Sequence, residues 1–234
     1  MCNDRLFFDI DIVITELMKK REIFTSEADF QLALAQTIML CYPEARVRLE
    51  YCYFPEENSN TNSCSENPLK MYIDILVLWG GKWIPIELKY KTKAFKYTDN
   101  DGCVYALKDQ SAYDFGCYDY WRDVSRIKTI AKSNPNQYKK GYAIFLTNAS
   151  TYYKNNYKNK EDNTKYRDFR IHQDRKIKGP TTLKWNGDPP KDEKYSEGID
   201  ILGIYSLKWE KYSTVTNDKG KQTIFKYLIT EIKR

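Results

Sequence analysis

A Gly-Gly pair set between two apolar, strand-like runs leaves a chain little freedom in how those runs meet. Gly80-Gly81 separates Met71–Trp79 from a run over 82–90, and a two-residue loop of this kind selects the primed turns whose twist matches paired strands. The register follows by counting back from the turn: Trp79 faces Lys82, and Asp74 comes opposite Glu87. Side chains alternate along a strand, so Lys89 shares the face of both acids. Pro85 lies in the second run and cannot donate a ladder hydrogen bond. It needs a bulge or an unpaired N-side, and a bulge would shift the two acids out of opposition.

Two carboxylates and an ammonium on one face of an apolar hairpin are costly unless something uses them. Like charges opposed across a sheet repel, and charges among apolar residues resist desolvation. A divalent cation removes the conflict. Mg²⁺ is commonly held by one or two carboxylates with waters and phosphate oxygens, and it activates bound water while neutralising charge on a phosphate. Lys89 could orient or deprotonate that water. The chemistry these residues suit is metal-assisted phosphodiester hydrolysis.

The chain holds its own control. Glu231-Ile232-Lys233 is a second Glu-x-Lys, with Asp218 at the same upstream distance as Asp74 from Glu87. Asp218 falls in the turn-like Asn217-Asp218-Lys219-Gly220, however, and a hairpin about that turn would pair Glu231 with a residue near Leu207. Ile199-Asp200-Ile201-Leu202 repeats the Ile73–Leu76 tetrapeptide without a Glu-x-Lys at hairpin distance, and is read as shared strand chemistry. The bland alternative for the first site is a solvent-facing hairpin with a Glu-Lys pair and a stray Asp.

Asp74 followed by Glu87-Leu88-Lys89 on a hairpin resembles the PD-(D/E)xK nuclease superfamily, although Ile73 stands where the motif has its proline. The resemblance covers about residues 20–147. It implies an α/β, restriction-endonuclease-like αβββαβ core with a mixed central sheet flanked by helices. It also implies a Mg²⁺ or Mn²⁺ ion and a nucleic-acid substrate, DNA foremost. In its terms Asp74, Glu87 and the backbone carbonyl of Leu88 hold the metal and Lys89 activates water. An upstream helical acid often joins such sites; Glu27 takes that part by position, the alternative being that it merely complements a helix dipole. RecB-like members add a glutamine and a tyrosine on the helix after Glu-x-Lys. Gln110 and Tyr113 are similar, but spaced i, i+3 instead of i, i+4, so Gln110 is a candidate for support of the site.

The remaining elements are legible from periodicity. Residues 4–20 carry Leu6, Ile10, Val13 and Leu17 at helical spacing, and Ser26 with Asp29 opens a second helix over 26–41 that Pro43 ends. Residues 45–54 alternate, with Ala45, Val47, Leu49, Tyr51 and Tyr53 on one face. Residues 55–69 read as a loop. Residues 107–131 read as a helix, or two broken near Gly116, on which Asp119, Arg122, Asp123 and Arg126 are expected to form surface ion pairs. Gly141–Thr147 reads as an apolar strand, and 199–213 with 223–233 as a C-terminal β-hairpin that packs on the core or extends its sheet. No linker is evident, so 1–234 is taken as one domain, with a core of about 20–147 and an extension of about 148–234.

Composition limits the alternatives. The charged fraction is 30% and the hydrophobic fraction 41%, with no apolar run near the ~20 residues needed to span a bilayer. With no signal peptide visible, a cytoplasmic protein without membrane contact is expected. Scattered cysteines and the single His172 give no zinc set and argue against histidine-based phosphodiesterases. A net charge of +6 favours an anionic partner, and the stretch Tyr152–Arg170 interleaves basic and aromatic residues as nucleic-acid contact would require. A homodimer remains open. The competing function is a catalytically silent nucleic-acid-binding or assembly protein on the same fold.

Overall fold

The computed structural model describes residues 7–54, 70–156 and 161–234; the expected loop at 55–69, Leu6, Cys2 and Cys64 lie outside them. Two helices come first, α1 (Ile10–Lys20) and α2 (Glu27–Cys41). Asp9 caps α1 by accepting from the Asp11 N–H, and the Ser26 hydroxyl caps α2 by accepting from the Asp29 N–H at 3.1 Å, so each start is set by the short polar residue before it. There follow β1 (Arg46–Tyr53), β2 (Met71–Trp79), β3 (Lys82–Lys91), a small hairpin of β4 (Phe95–Thr98) and β5 (Val104–Leu107), α3 (Tyr113–Ser133) and β6 (Gly141–Thr147). The helix, three strands, helix, strand order is therefore present, with the β4–β5 hairpin added before α3.

Beyond β6 lie the short helix α4 (Ser150–Tyr153), β7 (Lys176–Lys178), β8 (Thr181–Leu183), the short helix α5 (Glu193–Ser196), β9 (Ile199–Ile201), β10 (Ile204–Ser206), β11 (Trp209–Thr216) and β12 (Gln222–Ile232). The C-terminal hairpin is thus β11–β12, starting later than the 199–213 expected. It extends the sheet because β12 pairs antiparallel with β6. The central sheet runs β1-β2-β3-β6-β12-β11, mixed, with β3 and β6 parallel and its other pairs antiparallel.

Both faces of this sheet are buried. Ile75, Val77, Ile84, Ile86, Leu88 and Ile144 pack under α1 and α2, while Leu76, Ala143, Phe145 and Leu228 pack under α3 and the β7–β10 region. The alternation of β6 residues between the two faces explains why it reads as a continuous apolar run. Among the described residues no helix is long and apolar enough to cross a membrane.

Three expectations need correction. α3 starts at Tyr113 and passes unbroken through Gly116. That glycine serves a close approach: a Cβ there would meet the Tyr152 hydroxyl at 2.3 Å. Tyr152, Phe169 and Arg170 are buried, so the two ends of the basic-aromatic stretch 152–170 serve the interior, while Lys154, Lys165 and Arg167 between them are exposed. Its aromatic rings were available to the core because α3 leaves apolar surface on that side.

The third correction bears on the site. β1 does not keep one face: Val47 packs with the α1/α2 side and Tyr51 and Tyr53 with the α3 side. β2 does the same, since Ile73 and Ile75, two residues apart, lie on opposite faces. The change falls between the pairs Leu49↔Ile75 and Tyr51↔Ile73, where Glu50 adopts φ 49°. Left-handed backbone is unfavourable for a residue with a Cβ, and such strain gathers where function requires an irregular backbone. Asp74 sits on β2 opposite this break.

Candidate active site

The hairpin has the register expected of its turn. Gly80 and Gly81 both have positive φ, and the pairs run from Trp79↔Lys82 to Ile75↔Ile86 without a shift. Pro85 is accommodated without a bulge. It pairs with Leu76, and β3 begins its pairing with β6 only at Ile86, so the missing donor falls where no ladder bond is required. The ladder stops one step short of the acids. Instead of a backbone acceptor, the Leu88 N–H finds the Asp74 carboxylate, Oδ2 at 2.6 Å.

Around this opening the structure gathers charged groups from three elements. β3 supplies Glu87, 1% exposed, and Lys89. α2 supplies Glu27, whose Oε2 accepts the Tyr90 N–H at 2.7 Å, and Gln31, which donates from Nε2 to the Asp74 carbonyl and to Glu50 Oε1, both at 2.7 Å. α3 supplies Asp123 and Arg126. Lys89 Nζ lies 2.5 Å from Asp123 Oδ2 and donates to the Leu88 carbonyl at 2.9 Å. Arg126 Nη2 lies 3.3 Å from Glu87 Oε1, Arg126 Nη1 lies 3.4 Å from Asp123 Oδ1, and the guanidinium also donates to the Tyr72 carbonyl.

Asp123 and Arg126 are therefore not the surface pairs expected of that helix face. Asp123 is 1% exposed, on the stripe formed by Tyr120, Val124 and Ile127, and that position was the signal that could have found it. Asp119 and Arg122 do pair, at 2.7 Å, although Asp119 is largely buried. Gln110 precedes α3 instead of lying on it; its Oε1 accepts the Thr92 N–H at 2.9 Å and its own N–H donates to the Thr92 carbonyl, a tie at the end of β3. Glu27, Asp74, Glu87, Leu88 and Lys89 are brought into one neighbourhood. The second Glu-x-Lys is not: Glu231 pairs with Lys140 and Lys233, and Asp218 stays in the β11–β12 turn.

The electrostatics are those of an anionic cluster held out of water. Four carboxylates (Asp74, Glu87, Asp123, Glu27) share the space with two cations, Lys89 and Arg126. Burial pushes the Asp74 carboxyl up to about 6, opposed by Lys89 and the Leu88 N–H and reinforced by Asp123 and Glu27. Burial likewise raises Glu87 well above the usual carboxylate range, with Asp123 and Asp74 adding to it and Arg126 and Lys89 opposing. Burial alone would lower Lys89, but Asp123, Glu27 and Asp74 outweigh it and hold the amine protonated. Glu87 Oε1 and Asp123 Oδ2 are buried without a hydrogen bond; their contacts with Arg126 and Lys89 are ion pairs of close approach and poor alignment.

These donors suit a hard divalent cation: carboxylate oxygens and a backbone carbonyl, with an orphaned oxygen on the most buried acid. They are not yet gathered for one, since among the described residues no three potential ligand side chains converge on a point. Compared with family models, curated proteins and solved structures, the chain matches none.

Proposed function

We propose that this chain is a metal-dependent nuclease that hydrolyses phosphodiester bonds of nucleic acid, DNA foremost. The observation that carries the reading is the buried excess of carboxylates at the break in the β2–β3 hairpin, with an unsatisfied oxygen on Glu87. A buried anionic cluster is unfavourable without a compensating cation, and perturbed acids of this kind concentrate at functional sites. Asp74, Glu87 and the Leu88 carbonyl, with Glu27 beside them, are the groups that would hold Mg²⁺ or Mn²⁺. When bound, the ion would supply Lewis acidity toward a phosphate and a more acidic water.

The remaining work falls to the protein. Lys89, kept cationic by Asp123, Glu27 and Asp74, is suited to steering a water and stabilising charge on phosphate oxygens; a neutral amine would be needed for it to act as a base. Asp74 ties the opening to the Leu88 N–H, and Gln31 ties α2 to the same strand through the Asp74 carbonyl. These bonds restrict where a scissile group could sit, which is how positioning contributes to rate. The net charge of +6 supports a polyanionic partner.

The test is cleavage of single-stranded, duplex and branched DNA and of RNA with Mg²⁺ or Mn²⁺, comparing wild type with Lys89→Ala and Asp74→Asn. Activity lost in both folded variants is the expected result; wild type that cuts nothing, or variants that cut equally well, would overturn the proposal. A second reading, a silent nucleic-acid-binding or assembly protein, is favoured by one observation: Lys89 and Glu87 already have counter-ions in Asp123 and Arg126. It predicts no cleavage and no effect of divalent metal.

A further inference from the structure

We propose that Arg126 is an internal counter-ion that holds Glu87 in place until a divalent cation displaces it, with Asp123 keeping the released guanidinium beside the site. The proposal rests on the metal-dependent reading above and concerns how the same site is filled. Arg126 is the one member of the Glu87–Arg126–Asp123 set that reaches solvent: its side chain is 25% exposed, against 1% for Glu87 and 2% for Asp123. The two acids cannot leave their positions, whereas the arginine can leave Glu87 without unfolding anything.

The contact with Glu87 is also the one ion pair Arg126 makes in this set without a hydrogen bond, although its distance is close to the 3.4 Å of the Asp123 contact. It is a 3.3 Å ion pair that leaves Glu87 Oε1 without a hydrogen bond, while the guanidinium donates a hydrogen bond to the Tyr72 carbonyl and another to Asp123 Oδ1. Asp123 precedes Arg126 by one turn of α3, the spacing at which side chains remain neighbours whatever else they touch. An arginine does not shed its charge at accessible pH. The only way it can yield Glu87 to a metal is to move.

Charge counting gives the displacement its direction. With all four carboxylates ionised, the form that a metal would bind, the set carries an excess of two negative charges over Lys89 and Arg126, which one divalent cation would neutralise. A single positive charge at Arg126 cannot do this. It lowers the affinity of the site for metal by competing for Glu87 and by its field, and it protects the apo protein from having Glu87 and Asp123 face each other uncompensated.

Mn²⁺ binding, read from the spectrum of the free ion or by calorimetry, tests this directly on the whole chain. Arg126→Met and Arg126→Gln should bind Mn²⁺ about ten-fold tighter than wild type or better, the effect of removing a unit charge within ion-pair distance. Arg126→Lys should stay close to wild type, and so should Arg122→Met, which removes a charge from the same helix outside the site. The Mn²⁺-induced rise in Tm should be larger in the neutral variants than in wild type. Arg126→Gln keeps a donor for the Tyr72 carbonyl and serves if Arg126→Met does not fold. Wild type and folded neutral variants binding Mn²⁺ equally, or Arg122→Met tightening as much, would overturn the counter-ion role alone. Folded protein that binds Mn²⁺ in no form would overturn the metal-dependent reading with it.

Discussion

Replacing Asp74 by Asn should stabilise the metal-free protein at neutral pH while removing its proposed chemistry. Burial and the neighbouring acids raise the Asp74 carboxyl from 3.8 to about 6, so between those values the folded chain binds a proton that the unfolded chain does not. A raised acid contributes stability that is complete below its unfolded value and is lost as pH rises through its folded value. The full difference corresponds to roughly 3 kcal/mol; Asp74 is only partly buried, and solvent screening reduces this to about 1–2 kcal/mol. Asn carries no charge at any pH and its amide oxygen can still accept the Leu88 N–H. Urea denaturation in the presence of a chelator should therefore find Asp74→Asn more stable than wild type by about 1–2 kcal/mol at pH 7.5, with the difference vanishing near pH 4. Glu87 is raised as well, by burial first and then by Asp123 and Asp74, so wild type should lose further stability with rising pH by the same route. A variant that is equally or more strongly destabilised at pH 7.5 than at pH 4 would refute the account of Asp74 as an electrostatic liability kept for another purpose.

Two further perturbations bear on the frame around the site. Gly116→Ala should destabilise by about 1–3 kcal/mol despite the better helix former, because its Cβ would collide with the Tyr152 hydroxyl. That hydroxyl is buried without a partner among the described residues, so Tyr152→Phe should be neutral or stabilising by about 1 kcal/mol and should ease the alanine, an outcome that a denaturation double-mutant cycle reads directly. Lys89→Met should cost roughly 3 kcal/mol in metal-free buffer, since it strips the closest cation from Asp123; an unchanged denaturation midpoint would count against the buried ion network.

The hairpin was legible because its constraints are local. A two-glycine loop admits few turns, and once the turn is set the partners along β2 and β3 follow by counting. Ser26 announced α2 for the same reason, as a polar side chain placed to accept a first-turn N–H. Glu27 and Gln31, one turn apart on that helix, both turn toward the hairpin. The alternation expected for β1 failed at Glu50, whose left-handed backbone is not announced by its residue type.

Asp123 and Arg126 show the other kind of limit. Their i, i+3 spacing on a helix rich in charge is what a solvated ion pair looks like, and only the packing of α3 across β3 turns them inward against Lys89 and Glu87. By itself the sequence determined the turn, the register of the strands beside it and the start of α2, all matters of short-range sterics and hydrogen bonding. Tertiary structure decided that the ladder would open at Asp74, that β12 would extend the sheet beside β6, and that α3 would deliver its own acid and base to the opening. Burial and charge neutralisation are set by what arrives from elsewhere in the chain, and no local window contains that information.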